Sequence, residues 1–166
     1  FNVLREQLLW QQGHIKIFGK TIAEPRLTAW YGDLGITYKY SGKTMETRPW
    51  HPDLLNIKNK IEDCSSAKYN SVLCNLYRNG EDSMGWHADD ESSLGANPTI
   101  ASLSLGAART FQLKHRTKPY KITLMLRSGS LLLMSGTLQH HWVHRLPKTS
   151  SVITERINLT FRKLNL

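Results

Sequence analysis

From residue 69 to its end the chain repeats one texture: short runs rich in apolar and β-branched residues, each closed by a turn signal. The runs fall at 71–77, 100–105, 110–113, 121–126, 130–134 and 156–162. The turns fall at Gly80, Gly95-Ala96-Asn97-Pro98, Gly106, Ser128-Gly129 and Gly136. Runs this short are marginal as helices and cannot bury an apolar face alone, so they must close on one another. The spacing predicts a mostly β fold with flanking helices, a double-stranded β-helix or jelly roll.

The first 68 residues read differently. Apolar spacing predicts a short helix over 3–10 ending near Gly13, and a second over 54–62 after the break Pro49-Trp50-His51-Pro52. Between them a β-like stretch over 15–20 turns at Gly19, and two short strands, 25–32 and 36–42, join through residues 32–35. No repeat or linker divides the chain, so residues 1–166 are expected to form one domain with a core over 69–166.

A hydrophobic share of 40% is enough to fill that core. No stretch approaches the roughly 20 apolar residues of a membrane helix, and the opening residues lack a signal-peptide pattern. The first residue is Phe1 and not Met, so a trimmed chain is expected. Cys64 and Cys74 form no disulfide framework or metal pair, which points to a reducing, intracellular setting, while the lack of an apolar span leads to the expectation of no membrane partner. A formal charge of +9 and a pI near 9.7 call for a polyanionic partner, and nucleic acid is the expected one. Trp30, Tyr31, Tyr38 and Tyr40 lie among Arg26, Lys39 and Lys43, an interleaving suited to stacking on bases with phosphates held nearby.

Chemistry concentrates in Trp86-His87-Ala88-Asp89-Asp90-Glu91. Side chains two apart on an extended segment point the same way, so His87 and Asp89 can offer an imidazole and a carboxylate to one point. A third ligand would complete a two-histidine, one-carboxylate triad, for which non-haem Fe(II) with O2 at its open face is the expected occupant. Spacing leaves His140, His141 and His144 open as that ligand. In the last run Arg156, Asn158, Thr160 and Arg162 share one face, while Ile157, Leu159 and Phe161 share the other. Turned into a barrel, two arginines need an anion, and Asn75 and Tyr77 can add neutral donors, so a small dicarboxylate suits them.

Taken together, Asn75-Leu76-Tyr77, His87-Ala88-Asp89-Asp90-Glu91, Trp142-Val143-His144-Arg145-Leu146-Pro147 and Arg156-Ile157-Asn158-Leu159-Thr160-Phe161-Arg162 resemble the AlkB-type Fe(II)/2-oxoglutarate-dependent dioxygenases that repair alkylated nucleic acid. Ile17-Phe18-Gly19-Lys20, Tyr31-Gly32-Asp33 and Tyr38-Lys39-Tyr40-Ser41-Gly42 resemble the branch acting on double-stranded DNA. The resemblance implies Fe(II) on His87, Asp89 and His144. It implies 2-oxoglutarate on Asn75, Tyr77, Arg156, Asn158 and Arg162, with either arginine open as the partner of the far carboxylate. Residues 1–68 would include a nucleotide-recognition lid. There Tyr40 would stack on a flipped base opposite His87, with Tyr38, Ser41 and Glu91 around it, Arg26 as a further substrate contact and Phe18 as a wedge in the duplex. Tyr40 departs from the phenylalanine of that branch, which keeps the ring and adds a hydroxyl.

The implied reaction removes methyl groups from 1-methyladenine or 3-methylcytosine, consuming 2-oxoglutarate and O2 and releasing succinate, CO2 and formaldehyde. The implied setting is a monomer on alkylated double-stranded DNA, in the nucleus of a eukaryote or the cytoplasm of a bacterium. Two alternatives accompany it: the same chemistry on RNA or protein, and a non-catalytic nucleic-acid-binding barrel, which would have no need of the three ligands.

Overall fold

The computed structural model describes the chain apart from Phe18, Ser41, Gly42, Val152 and Leu166, with backbone alone for residues 16–17, 37–40 and 43–46. Helix α1 (Asn2–Gln7) leads to strands β1 (Gln11–Ile17), β2 (Lys20–Gly32), β3 (Thr37–Tyr40), β4 (Lys43–Glu46) and β5 (Arg48–Pro49), then to helix α2 (Pro52–Ser65). The remainder is β6 (Ser71–Tyr77), β7 (Met84–His87), β8 (Ile100–Gly106), β9 (Arg109–His115), β10 (Lys121–Leu126), β11 (Leu131–Met134), helix α3 (Leu138–His141), β12 (Trp142–Leu146) and β13 (Arg156–Arg162).

Two main sheets result. The larger runs β1-β2-β6-β13-β8-β11, with β5 alongside β2, and the smaller runs β10-β9-β12-β7. The expected jelly roll is therefore present, with its sheets meeting through Tyr77, Ile100 and Met134 on one side and Phe111, Leu113 and Leu146 on the other. Because side chains alternate, β13 turns Ile157, Leu159 and Phe161 outward against Leu54 and Ile61 of α2 and Leu4 of α1. Its polar residues are left facing the space between the sheets. Strand β2 pairs with β6, so the larger sheet draws on the first 68 residues as well as on the core.

Two early boundaries differ most from expectation. The first helix ends at Gln7 and not near Gly13, since Leu8 is extended (φ −75°, ψ 142°) and Gln11 and Gln12 pair with Thr28 and Leu27. Ladder bonds to β2 outweigh a weak local helix preference. Strand β2 begins at Lys20, before Pro25, because the β1–β2 register jumps from His14↔Ala23 to Gln12↔Leu27. Pro25 sits in that bulge, where its missing N–H costs no ladder bond. Gly19 closes the β1–β2 hairpin at φ +76°, a conformation that favours glycine.

Helix α2 is tied to the segment leading into β6 by a buried carboxylate, Glu62. Burial would raise the Glu62 pKa, but hydrogen bonds from Lys68 Nζ (2.8 Å), Tyr69 N (2.9 Å) and Lys58 Nζ (3.1 Å) hold it down to about 2. A depressed folded-state value means that Glu62 contributes its full stability above the ordinary value of 4.5 and loses it as pH falls toward about 2. Melting temperatures of the wild type and Glu62→Gln should thus differ most near neutrality and converge in that acid window. A gap that stayed constant with pH would rule out this anchoring.

Candidate active site

Strand pairing assembles the triad. β12 lies antiparallel to β7 with His144 opposite His87, and their ring centroids are 4.2 Å apart. Asp89 follows two residues beyond His87, and one ligand atom from each of the three lies within 4.8 Å of the others. His140 and His141 lie instead on α3, where His140 Nε2 meets Asn97 Oδ1 at 3.0 Å and the His141 ring stacks at 6.0 Å on His115. Of the three histidines that spacing left open, His144 is the one the fold brings beside His87 and Asp89.

Each ligand is held by a neighbour. Gly85 O can only accept, so the 2.9 Å contact assigns a proton to His87 Nδ1 and leaves Nε2 as the ring nitrogen available to a metal. Asp89 N donates to Gln139 Oε1 at 3.0 Å, and Arg162 Nη2 donates to Asp89 Oδ1 at 2.9 Å. Burial opposes charge on Asp89, yet Arg162 and the two histidines keep its pKa below the usual carboxylate range. His144, 3% exposed, is driven by burial and by His87 to a pKa of about 3 and is neutral near pH 7. Its Nδ1 is buried with no hydrogen-bond partner among the described residues. Two imidazoles and one carboxylate, with an orphaned ring nitrogen on His144, fit a divalent metal and Fe(II) in particular.

The same cavity carries the polar face of β13. Arg26, Asn75, Tyr77, Arg156, Asn158 and Arg162 line it together with the triad. Thr160 Oγ1 donates to Asn158 Oδ1 at 3.0 Å, while Asn158 Nδ2 donates to Ser102 Oγ at 2.8 Å, so the amide is fixed in orientation. Arg156 Nη2 donates to Ser104 Oγ at 2.8 Å, and its Nε is buried without a partner among the described residues. Burial, and secondarily the charge of Arg109, lowers Arg156 to about 10, so it remains a cation near neutrality. The two arginines thus differ: Arg162 is bonded to a triad carboxylate, whereas Arg156 has no carboxylate bonded to it among the described residues.

The expected substrate contacts divide. Arg26 lines the cavity, held by Glu24 Oε2 (2.7 Å from Nη2) and by Asn75 Oδ1, which accepts from its Nε at 3.0 Å. Glu91 caps the single turn Ser92–Leu94 and is not among the residues lining the cavity. Phe18 and Ser41 lie outside the described residues, as do the side chains of Tyr38 and Tyr40 on the β3–β4 hairpin. Sequence reading missed Gln139, which no pattern marks, and Arg109, which the alternation Arg109, Phe111, Leu113 could have turned inward.

Comparison with known proteins agrees with this geometry. The profile of the 2OG-Fe(II) oxygenase superfamily matches residues 1–162. Alpha-ketoglutarate-dependent dioxygenase alkB homolog 3 of Bos taurus is 49% identical, over 98% of this chain and 59% of its own length. The Homo sapiens protein of that name is 49% identical over 86% of this chain and 52% of its own length. DNA oxidative demethylase ALKBH2 of Homo sapiens is 40% identical over 92% of this chain and 61% of its length. The chain spans between half and two thirds of the length of these curated relatives. The solved structure of OsALKBH1 shares the fold, with a TM-score of 0.63 at 15% identity over 95% of this chain and 82% of that one.

Proposed function

This chain belongs to the 2OG-Fe(II) oxygenase superfamily, as an AlkB-type member, and on that premise we propose that it oxidatively demethylates alkylated bases in nucleic acid. DNA carrying 1-methyladenine or 3-methylcytosine in a duplex is the proposed substrate. The observation that carries this reading is the single cavity shared by His87, Asp89 and His144 and by the cationic end of Arg156. Fe(II), held by the triad, supplies O2-dependent oxidation when bound. One 2-oxoglutarate and one O2 are consumed for each methyl carbon released as formaldehyde, with succinate and CO2 as the other products.

The residues divide the remaining work. Arg156 grips the far carboxylate of 2-oxoglutarate, and its planar fork suits that group better than a lysine would. Tyr77, Asn75 and Asn158 supply neutral polar groups along the chain of the cosubstrate. Arg162 keeps Asp89 ionised and oriented toward the metal, and Gln139 fixes the Asp89 backbone. Phe111, Met134 and Leu146 keep water from the reacting side of the cavity. A base inside a duplex cannot reach this depth, so it must be flipped, and an alkylated base that no longer pairs is cheaper to flip. Tyr38, Tyr40, Ser41, Glu91 and Arg26 are the proposed contacts to that base.

The test is mass spectrometry of 1-methyladenine in duplex DNA, single-stranded DNA and RNA after incubation with Fe(II), 2-oxoglutarate and ascorbate. Demethylation with equal formaldehyde and succinate, fastest on the duplex, is the expected result. Absence of turnover on all three would defeat the reading, while faster turnover on RNA would replace its substrate. Phe18→Ala should slow the duplex reaction several-fold more than the single-strand reaction, because an apolar wedge matters only where there is a stack to fill. Equal losses on both strands would remove Phe18 from the substrate contacts.

A further inference from the structure

At the Arg156 end of the cavity two guanidinium groups share one aromatic ring. Arg156 lies 5.4 Å from the Tyr77 ring centroid, and Arg109 lies 5.9 Å from it. Both arginines are only 2% exposed. Arg109 Nη1 donates to Asn79 O at 3.1 Å, and its Nη2 donates to Asp82 O at 2.9 Å and Pro147 O at 2.7 Å. All three partners are neutral backbone carbonyls, and the nearby Asp82 carboxylate offsets the Arg109 charge in part, through space. The Asp82 carboxylate is committed to Arg78, accepting from its Nε at 2.7 Å, its Nη2 at 2.8 Å and its backbone N at 2.9 Å.

Two buried cations near one another repel, and an anion bound at Arg156 would relieve the repulsion that Asp82 offsets only in part. Arg109 does not line the cavity, so a bound anion would touch Arg156 and feel Arg109 through Tyr77. Its carbonyl bonds also join the turn after β6, on which Tyr77 sits, to the residue after β12, on which His144 sits.

We propose that Arg109 is a positioning residue that makes the cavity selective for a doubly charged 2-oxo acid, by adding a second positive charge behind Tyr77 while pinning the loops that hold the ring. The proposal rests on the reading above, in which 2-oxoglutarate occupies this cavity. Arg109 favours the far carboxylate over a neutral or absent one and leaves the metal end unaffected.

Calorimetric titration of the Mn(II)-loaded chain tests this, with 2-oxoglutarate and with 2-oxobutanoate, which lacks the far carboxylate. Arg109→Gln should weaken 2-oxoglutarate binding about tenfold and leave 2-oxobutanoate unchanged, as expected for one partly screened charge. Arg109→Lys keeps the charge and should bind 2-oxoglutarate within about threefold of the wild type. Equal weakening of both ligands, identical behaviour of the two variants, or unfolding of both by circular dichroism would overturn the proposal and return Arg109 to scaffolding. A wild-type chain that fails to bind 2-oxoglutarate would defeat the cavity reading itself. Normal wild-type binding with unchanged Arg109→Gln defeats only the role of Arg109.

Discussion

Asp89→Ala is expected to abolish demethylation and to lower the stability of the metal-free chain as well. The first effect follows from charge: Asp89 is the anionic member of the triad, and two imidazoles alone hold a dication poorly. The second follows from Arg162, whose Nη2 donates to Asp89 Oδ1 while both side chains are 6% exposed. Removing one partner of such a buried pair leaves a desolvated charge behind, at a cost of about 3–5 kcal/mol. His87→Ala and His144→Ala should also lose activity but spare more of the stability, since each removes a side chain without stranding a charge. His140→Ala and His141→Ala should stay active, because neither ring belongs to the triad. Equilibrium dialysis with Mn(II), formaldehyde release and chemical denaturation separate these outcomes. An active Asp89→Ala chain would remove the metal centre from these residues.

Arg156→Ala is expected to raise the apparent requirement for 2-oxoglutarate far more than tenfold with little effect on nucleic-acid binding. Losing the partner of a desolvated carboxylate costs about 2–5 kcal/mol, which corresponds to roughly 30-fold or more in affinity. Arg156→Lys should recover part of this, retaining the charge and losing the fork. Arg162→Ala should behave differently. By releasing Asp89 it should weaken Mn(II) binding together with 2-oxoglutarate use, whereas Arg156→Ala leaves Mn(II) affinity intact. Saturation curves for 2-oxoglutarate beside metal titrations make the comparison. An unchanged requirement in Arg156→Ala would place the far carboxylate elsewhere.

Local periodicity was enough to determine a good part of this protein. The alternation of β13 announced a polar face toward the cavity and an apolar face toward the helices, because a strand turns successive side chains to opposite sides whatever lies around it. Asn75 with Tyr77, and His87 with Asp89, were legible for the same reason, and the succession of short glycine-bounded runs limited the fold to a closed pair of sheets. What required the tertiary structure is whatever depends on register between distant segments. His144 could be told from His140 and His141 only once β12 paired with β7, since that pairing alone sets the ring opposite His87. Arg156 and Arg162 are indistinguishable by alternation, and they part only because the loop after β7 brings Asp89 to one of them. Gln139 and Arg109 act through contacts to backbone groups far along the chain, and such contacts leave no period in a sequence.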